Sequence, residues 1–229
     1  MIHILPPVFA PDKGTFLRLN GLLEHPLCTF ASSVRELSIF DPYQKNTTTL
    51  DSSWIDLLVT QLDRLVFVNS LDLTLSDEAI MVYCDAVILK APSFASLITR
   101  LTLRVCDLPE SQEAMQWMSK IFSFRSLTHL TLIQDDYEDG RERVGEEISI
   151  PTTAAVLPMN LRVLRITSWE TNGILPLIQL MLKWLYKSQT QISTLEFGFI
   201  SMQYSYTIKT PPQGPPIPWI LIGSTETEI

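Results

Sequence analysis

One pattern of apolar positions recurs six times along this chain of 229 residues. In each copy, an apolar residue is followed three and five positions later by two more. The copies begin at Val34, Val68, Ile98, Leu127, Leu161 and Ile192. Successive starts lie 34, 30, 29, 34 and 31 residues apart. A nearly constant offset of this size predicts a repeat protein, in which each unit buries its apolar face against its neighbours.

Each motif also predicts a β-strand, because its last four positions alternate between apolar residues and residues of other kinds. The leucines at the fourth motif position, such as Leu101, Leu130 and Leu164, are expected to stack as a buried ladder. Helical periodicity occupies several intervals between the motifs. We predict helices at 53–67, from Ser76 to a stop at Pro92, at 109–124 and at 174–187.

The alternation of strands and helices sets the predicted fold class. A strand that is followed by a helix and then another strand favours parallel strands joined by helical crossovers. We therefore predict an α/β solenoid of about six degenerate repeats. A curved parallel sheet would line its concave face, and the helices would cover its convex face.

Three parts of the chain are predicted. Residues 1–33 form an N-terminal lead-in with a capping helix, residues 34–206 form the repeat region, and residues 207–229 form a proline-rich C-terminal tail. Within the repeat region, residues 135–147 carry seven acids and two bases and show no helical period. We interpret them as an exposed acidic loop, with a docking site for a basic partner as the alternative.

The C-terminal tail has two interpretations. Five prolines lie between Lys209 and Pro218, a composition typical of an extended polyproline segment. The stretch from Ile217 to Ile222 repeats the apolar motif, so the alternative is a terminal edge strand, the one place where Pro218 is tolerated.

Composition narrows the class of partner. Apolar residues make up 46% of the chain, and the net charge is −8. The apolar fraction predicts a sustained hydrophobic core. The negative net charge argues against a nucleic-acid or membrane partner, since binding either of them needs excess Lys and Arg. The first residues lack a secretory signal, and three scattered cysteines fit reduced thiols. We expect a monomeric intracellular protein, cytoplasmic or nuclear.

Catalytic motifs are not found in the sequence. There is no Gly-x-Ser-x-Gly elbow, no glycine-rich phosphate loop and no His-Glu-x-x-His. The histidines His3, His25 and His129 lie in separate segments without metal-ligand spacing. We predict a non-enzymatic protein without a cofactor or metal; an enzyme whose site is carried on loops is the alternative.

The candidate binding residues lie between the motif leucines, where strand alternation sends them to the concave face. They are Arg100, Arg104, Arg165, His129, Asp72, Glu36 and Glu196. The arginines fall in the middle repeats and the acids toward the ends. Such a cluster of bidentate donors favours a protein partner that carries carboxylates or phosphates. The alternative is that the arginines only pair with Asp72 and the acidic loop.

The six motifs resemble leucine-rich repeats. The stretch Ile98-x-x-Leu101-x-Leu103-x-x-Cys106 matches the cysteine form of that repeat, and offsets of 29–34 residues resemble its long, helix-bearing class. This resemblance implies that the predicted solenoid is of the leucine-rich-repeat type and acts in protein–protein interaction.

A narrower resemblance lies at the N-terminal end. Residues 16–27, followed by Val34-Arg35-Glu36-Leu37, are similar to the stretch that joins the F-box to the repeats in fungal F-box/leucine-rich-repeat-like proteins. The resemblance implies the substrate-recognition half of a ubiquitin-ligase adaptor. The three-helix F-box does not follow Leu5-Pro6-Pro7, so we expect no binding of the ligase scaffold by this chain alone. A free-standing scaffold or a truncated gene product is the alternative.

Overall fold

The protein has an α/β fold with one eight-stranded sheet, in which the strands follow one another in chain order from β1 to β8. The first six strands are parallel, and the last two are antiparallel. The computed structural model describes residues 18, 21–25, 28–29, 31–40, 53–75, 77–105, 119–134, 160–168, 192–199, 204–209 and 221–226.

Each of the six motifs forms one parallel strand. The strands are β1 (Glu36–Phe40), β2 (Ser70–Thr74), β3 (Arg100–Val105), β4 (His129–Gln134), β5 (Val163–Ser168) and β6 (Thr194–Phe199). Every strand begins two residues after the first apolar residue of its motif. The predicted strands, their parallel pairing and the α/β class are therefore confirmed.

The motif residues pair in register and form two continuous buried ladders. One ladder consists of Leu37, Leu71, Leu101, Leu130, Leu164 and Leu195. The other consists of Ile39, Leu73, Leu103, Leu132, Ile166 and Phe197. No member of either ladder is more than 9% exposed, so the predicted leucine ladder is confirmed. Each buried side chain contributes about 1.5–3 kcal/mol.

Backbone hydrogen bonds tie each unit to the next at the start of the strands. The carbonyl oxygen of Arg35 accepts the N–H groups of Asn69 and Ser70, at 3.0 and 3.2 Å. The carbonyls at the equivalent position of the next units repeat this arrangement; they belong to Asn69, Thr99, Thr128 and Arg162. Three side-chain hydroxyls also donate a hydrogen bond to this carbonyl of the preceding unit; they belong to Thr99, Thr128 and Ser193.

Three helices lie between the first strands: α1 (Ser53–Val59), α2 (Asp77–Lys90) and α3 (Pro92–Leu97). Their buried residues share one core with the ladders. The predicted helix at 53–67 is shorter than expected, because a 3-10 turn at Leu62–Arg64 follows α1. Pro92 does not only stop a helix; it begins α3, where its missing N–H costs no hydrogen bond.

Several predicted features lie wholly or mostly outside the described residues. They are the helices at 109–124 and 174–187, Cys106, the acidic loop at 135–147 and the proline-rich run. In the described part of the chain, no helix combines the length and the apolar character that crossing a bilayer requires.

Two further strands follow the parallel sheet. Strand β7 (Tyr204–Lys209) pairs antiparallel with β6, and β8 (Leu221–Glu226) pairs antiparallel with β7 at the end of the strand order. Strand β7 was not predicted from the sequence, although its aromatic and β-branched residues alternate with small or polar ones. Strand β8 lies in the segment where an edge strand was the alternative. The three predicted parts of the chain stay a prediction.

Replacing one ladder leucine should test the register. We expect Leu101→Ala to lower the free energy of unfolding by about 2–5 kcal/mol, because the residue is buried between two ladder neighbours. Arg100→Ala, one residue away on the opposite face, should change it by no more than about 0.5 kcal/mol. Urea unfolding followed by circular dichroism measures both variants, and equal effects would contradict the assigned faces.

Candidate functional site

The strands present a second face, opposite the buried ladders, which we call the polar face. Along β2 and β5, partly or fully exposed residues alternate with buried ones. All seven predicted binding residues occupy polar-face positions: Glu36, Asp72, Arg100, Arg104, His129, Arg165 and Glu196. The structure therefore brings them to one surface, and their role in binding stays a prediction.

Charge varies across the polar face in strand order. Acids stand on β1, β2 and β6, arginines stand on β3 and β5, and a histidine stands on β4 between them. We call the side chains of Arg100, Arg104, His129 and Arg165 on β3 to β5 the cationic strip. Neighbouring strands are about 4.8 Å apart, so this strip spans only a few side-chain widths. Acids flank this strip on both sides.

Arg165 and Glu196 form an ion pair across β5 and β6. They are direct register partners, and Arg165 Nε lies 2.5 Å from Glu196 Oε2. Arg165 remains 54% exposed, so the pair adds about 0–1 kcal/mol to stability. The main consequence of this ion pair is electrostatic, because Glu196 offsets the positive charge of Arg165.

Asp72 and Arg104 interact more weakly. Arg104 Nε lies 4.0 Å from Asp72 Oδ1, too far for a hydrogen bond, and this buried oxygen has no hydrogen-bond partner. Burial raises the pKa of the Asp72 carboxyl; Arg104 opposes this rise, and the like charge of Glu36 adds to it. Asp72 is thus a partly buried carboxylate held at some cost in stability.

His129 is the register partner of Arg100 and is partly buried. Its Nδ1 lies 2.8 Å from the hydroxyl oxygen of Thr128, which is also 2.9 Å from the carbonyl oxygen of Thr99. A carbonyl only accepts, so we assign the hydroxyl proton to that bond. Nδ1–H is then the donor to Thr128, and Nε2 of the neutral ring has an open lone pair.

Positive charge surrounds the His129 imidazole. Burial lowers the pKa of His129, and the guanidiniums of Arg100, Arg165 and Arg162 lower it further. Among the described residues, Arg100 has no ion-pair partner, whereas Arg104 and Arg165 each have an acid. The alternative that the arginines pair with Asp72 and the acidic loop therefore holds for Arg104 alone, since Arg165 pairs with Glu196; the acidic loop lies outside the described residues.

Arg162 is not among the binding residues predicted from the sequence. It lies one residue before β5, is exposed, and acts on His129. Its backbone N–H and that of Val163 bond to the carbonyl of Thr128, which sets it beside the start of β4. The signal was present in the motif alignment, because Arg162 and Thr128 both occupy the second motif position.

The described residues give little support for metal or thiol chemistry. Within the part of the chain that the structure covers, no three His, Cys, Asp or Glu side chains form a group that could hold a metal ion. Cys84 is fully buried, and burial raises the pKa of its thiol to about 12, with Asp85 adding to the rise and Lys120 opposing it. A thiol in that environment is a core residue and a poor nucleophile.

Removing the charge of Asp72 should stabilise the fold. Because the pKa of Asp72 is raised above its ordinary 3.8, its ionised form opposes folding, and stability falls as pH rises through the raised pKa. We expect Asp72→Asn to have a higher Tm at pH 7, with the gain vanishing below about pH 3.8. Asp63→Asn, on an exposed turn, should leave Tm unchanged. A lower Tm for Asp72→Asn at pH 7 would contradict this account.

The positive charge of the nearby arginines should lower the pKa that a titration of the His129 imidazole measures. We expect its imidazole signals, followed by NMR, to titrate below the ordinary pKa of 6.5. Arg100→Ala or Arg162→Ala should raise the midpoint by removing a repelling charge, whereas Lys90→Ala on α2 should not. Since a lowered histidine pKa means that the unfolded chain binds more protons, this group's contribution to stability should rise with pH toward 6.5. If the titration midpoint of His129 is the same in the wild type and in both arginine variants, the two arginines do not act on the imidazole ring.

Searches with family models, among curated proteins and among solved structures find no match for this chain.

Proposed function

We propose that this chain is a protein-interaction module built as a leucine-rich-repeat-type solenoid, and that its polar face binds the partner. One observation carries the proposal: six strands in register form one face, on which five of them hold charged side chains and β4 holds His129, while the other face of the described strands is fully used by the core. Repeat proteins use such extended surfaces for binding. A module of this kind works without catalysis and without a cofactor.

The pattern of charge favours a protein partner over a long polyanion. Glu36 and Asp72 lie on one side of the cationic strip, and Glu196 lies on the other. A nucleic acid laid across these strands would meet acids on both sides, and the chain as a whole carries a net charge of −8. A peptide segment with one or two anionic groups can place them on β3 to β5 and avoid the flanks.

The finer role of ubiquitin-ligase adaptor rests on the sequence resemblance of residues 16–37. In that role the polar face would hold the substrate. Recovery of cullin-scaffold subunits together with the chain from cell extracts would support the adaptor. Recovery of other partners without the scaffold would favour a free-standing scaffold protein.

Removing the polar-face arginines should weaken partner binding. Affinity capture with quantitative mass spectrometry should recover partners with the wild type that are depleted with Arg100→Ala/Arg104→Ala. The difference in recovery between the wild type and the variant should shrink as the salt concentration rises, because exposed charges are screened at higher ionic strength. Circular dichroism should show that the variant remains folded.

The matched control removes the same charge from the helix side. Lys90 and Lys120 pair with Asp56 and Asp85, which belong to α1 and α2. Lys90→Ala/Lys120→Ala should retain the partners that the polar-face variant loses. If both variants lose the same partners, or neither does, the polar face is not the binding surface.

A further inference from the structure

Three cationic or ionisable residues lie at or next to the N-terminal ends of the middle strands. Arg100 begins β3, His129 begins β4, and Arg162 directly precedes β5. We call these three residues the anion cluster. They come from three different repeats. The parallel register pairs Arg100 with His129, and the backbone hydrogen bonds of Arg162 and Val163 to the carbonyl of Thr128 set Arg162 beside the start of β4.

Among the residues that the structure describes, the acids of the polar face do not compensate the charge of the anion cluster. Glu196 neutralises Arg165, and Asp72 interacts with Arg104. Arg100 is not among the charges that act on Asp72. Within the described ranges, neither Arg100 nor Arg162 has an ion-pair partner. Among the described residues, Arg100 and Arg162 therefore place about two unbalanced positive charges near the neutral His129 imidazole.

We propose that the anion cluster binds the phosphate group of a phosphorylated segment of a protein partner. The inference rests on the proposed use of the polar face and names the chemical group that this face recognises. A phosphorylated serine or threonine carries about −1.5 to −2 charges near neutral pH, which matches two guanidiniums. A single carboxylate would leave one of them unbalanced.

His129 adds a proton-linked contact to this site. Its Nδ1 bonds to Thr128, and no described residue forms a hydrogen bond with its Nε2. In the unbound protein, burial and the arginines Arg100, Arg165 and Arg162 keep the ring neutral. The acids of the face stand further away, on β1, β2 and β6. A bound phosphate would offset the repulsion, so that Nε2 takes up a proton and donates to the phosphate. Binding is therefore expected to strengthen as pH falls.

The first measurement uses the full chain and inorganic phosphate. His129 imidazole signals are titrated by NMR with phosphate or with chloride at constant ionic strength. Phosphate should raise the midpoint of His129, and the rise should disappear in Arg100→Ala and in Arg162→Ala but persist in Lys90→Ala. A midpoint that phosphate leaves unchanged in the wild type would overturn the proposal without relying on any variant.

The second measurement uses peptides. A degenerate library with a fixed phosphothreonine or phosphoserine is compared with the same library carrying Thr, Ser or Glu. The chain should retain the phosphorylated library about tenfold or more strongly, as expected for charge-assisted hydrogen bonds, and Arg162→Ala should abolish the preference. Equal retention of the Glu library would overturn the phosphate assignment in favour of a carboxylate.

Three other outcomes distinguish this inference from its alternatives and from the proposed function. If the chain binds vesicles that contain phosphoinositides and phosphopeptide does not displace them, the ligand is a membrane lipid. That result would overturn the assignment of a phosphorylated peptide as the ligand. If no phosphorylated probe binds while partner capture still depends on Arg100 and Arg104, the phosphate inference fails and the interaction surface stands. If capture does not depend on the polar face, the proposed function fails as well.

Discussion

In-register parallel pairing is the constraint on which the rest of this structure depends. A strand shows its side chains to alternate faces, so a slip of one residue would turn a whole set of leucines toward water. Two repeated features resist that slip. The apolar ladders gain from burial, and the carbonyl before each strand accepts two N–H groups from the next unit. Because both features recur at each pairing from β1 to β6, every unit supports the alignment of its neighbours.

The same alignment decides which charges meet. Residues about 30 positions apart become lateral neighbours, whereas residues adjacent in sequence point to opposite faces. Arg165 thus meets Glu196, and Asp72 lies near both Arg104 and Glu36. The Asp72 oxygen that has no hydrogen-bond partner departs from the usual rule for buried polar groups. Such departures concentrate at surfaces that are used for something other than stability.

The parallel arrangement ends where the strand order turns antiparallel at β7. Antiparallel strands need no helical crossover, so the sheet can extend past β6 through a short segment without another helix-bearing unit. The cationic strip on β3 to β5 consequently lies inside the sheet, with paired strands on both sides, and not at its edge. An interior position suits a binding site, because the backbone beneath it is held on both sides by hydrogen bonds.

The sequence by itself determined the six parallel strands, their buried leucines and the face on which the charged residues stand. Alternation and repeat length are local properties, so they can be counted along the chain. Only the tertiary structure decided that Pro92 begins a helix, that β7 extends the sheet, and that Arg162 lies beside the start of β4. These outcomes depend on lateral neighbours and on distances between side-chain atoms. A one-dimensional pattern places residues on a face, but which of them pair with an acid and which stay unbalanced depends on packing between units.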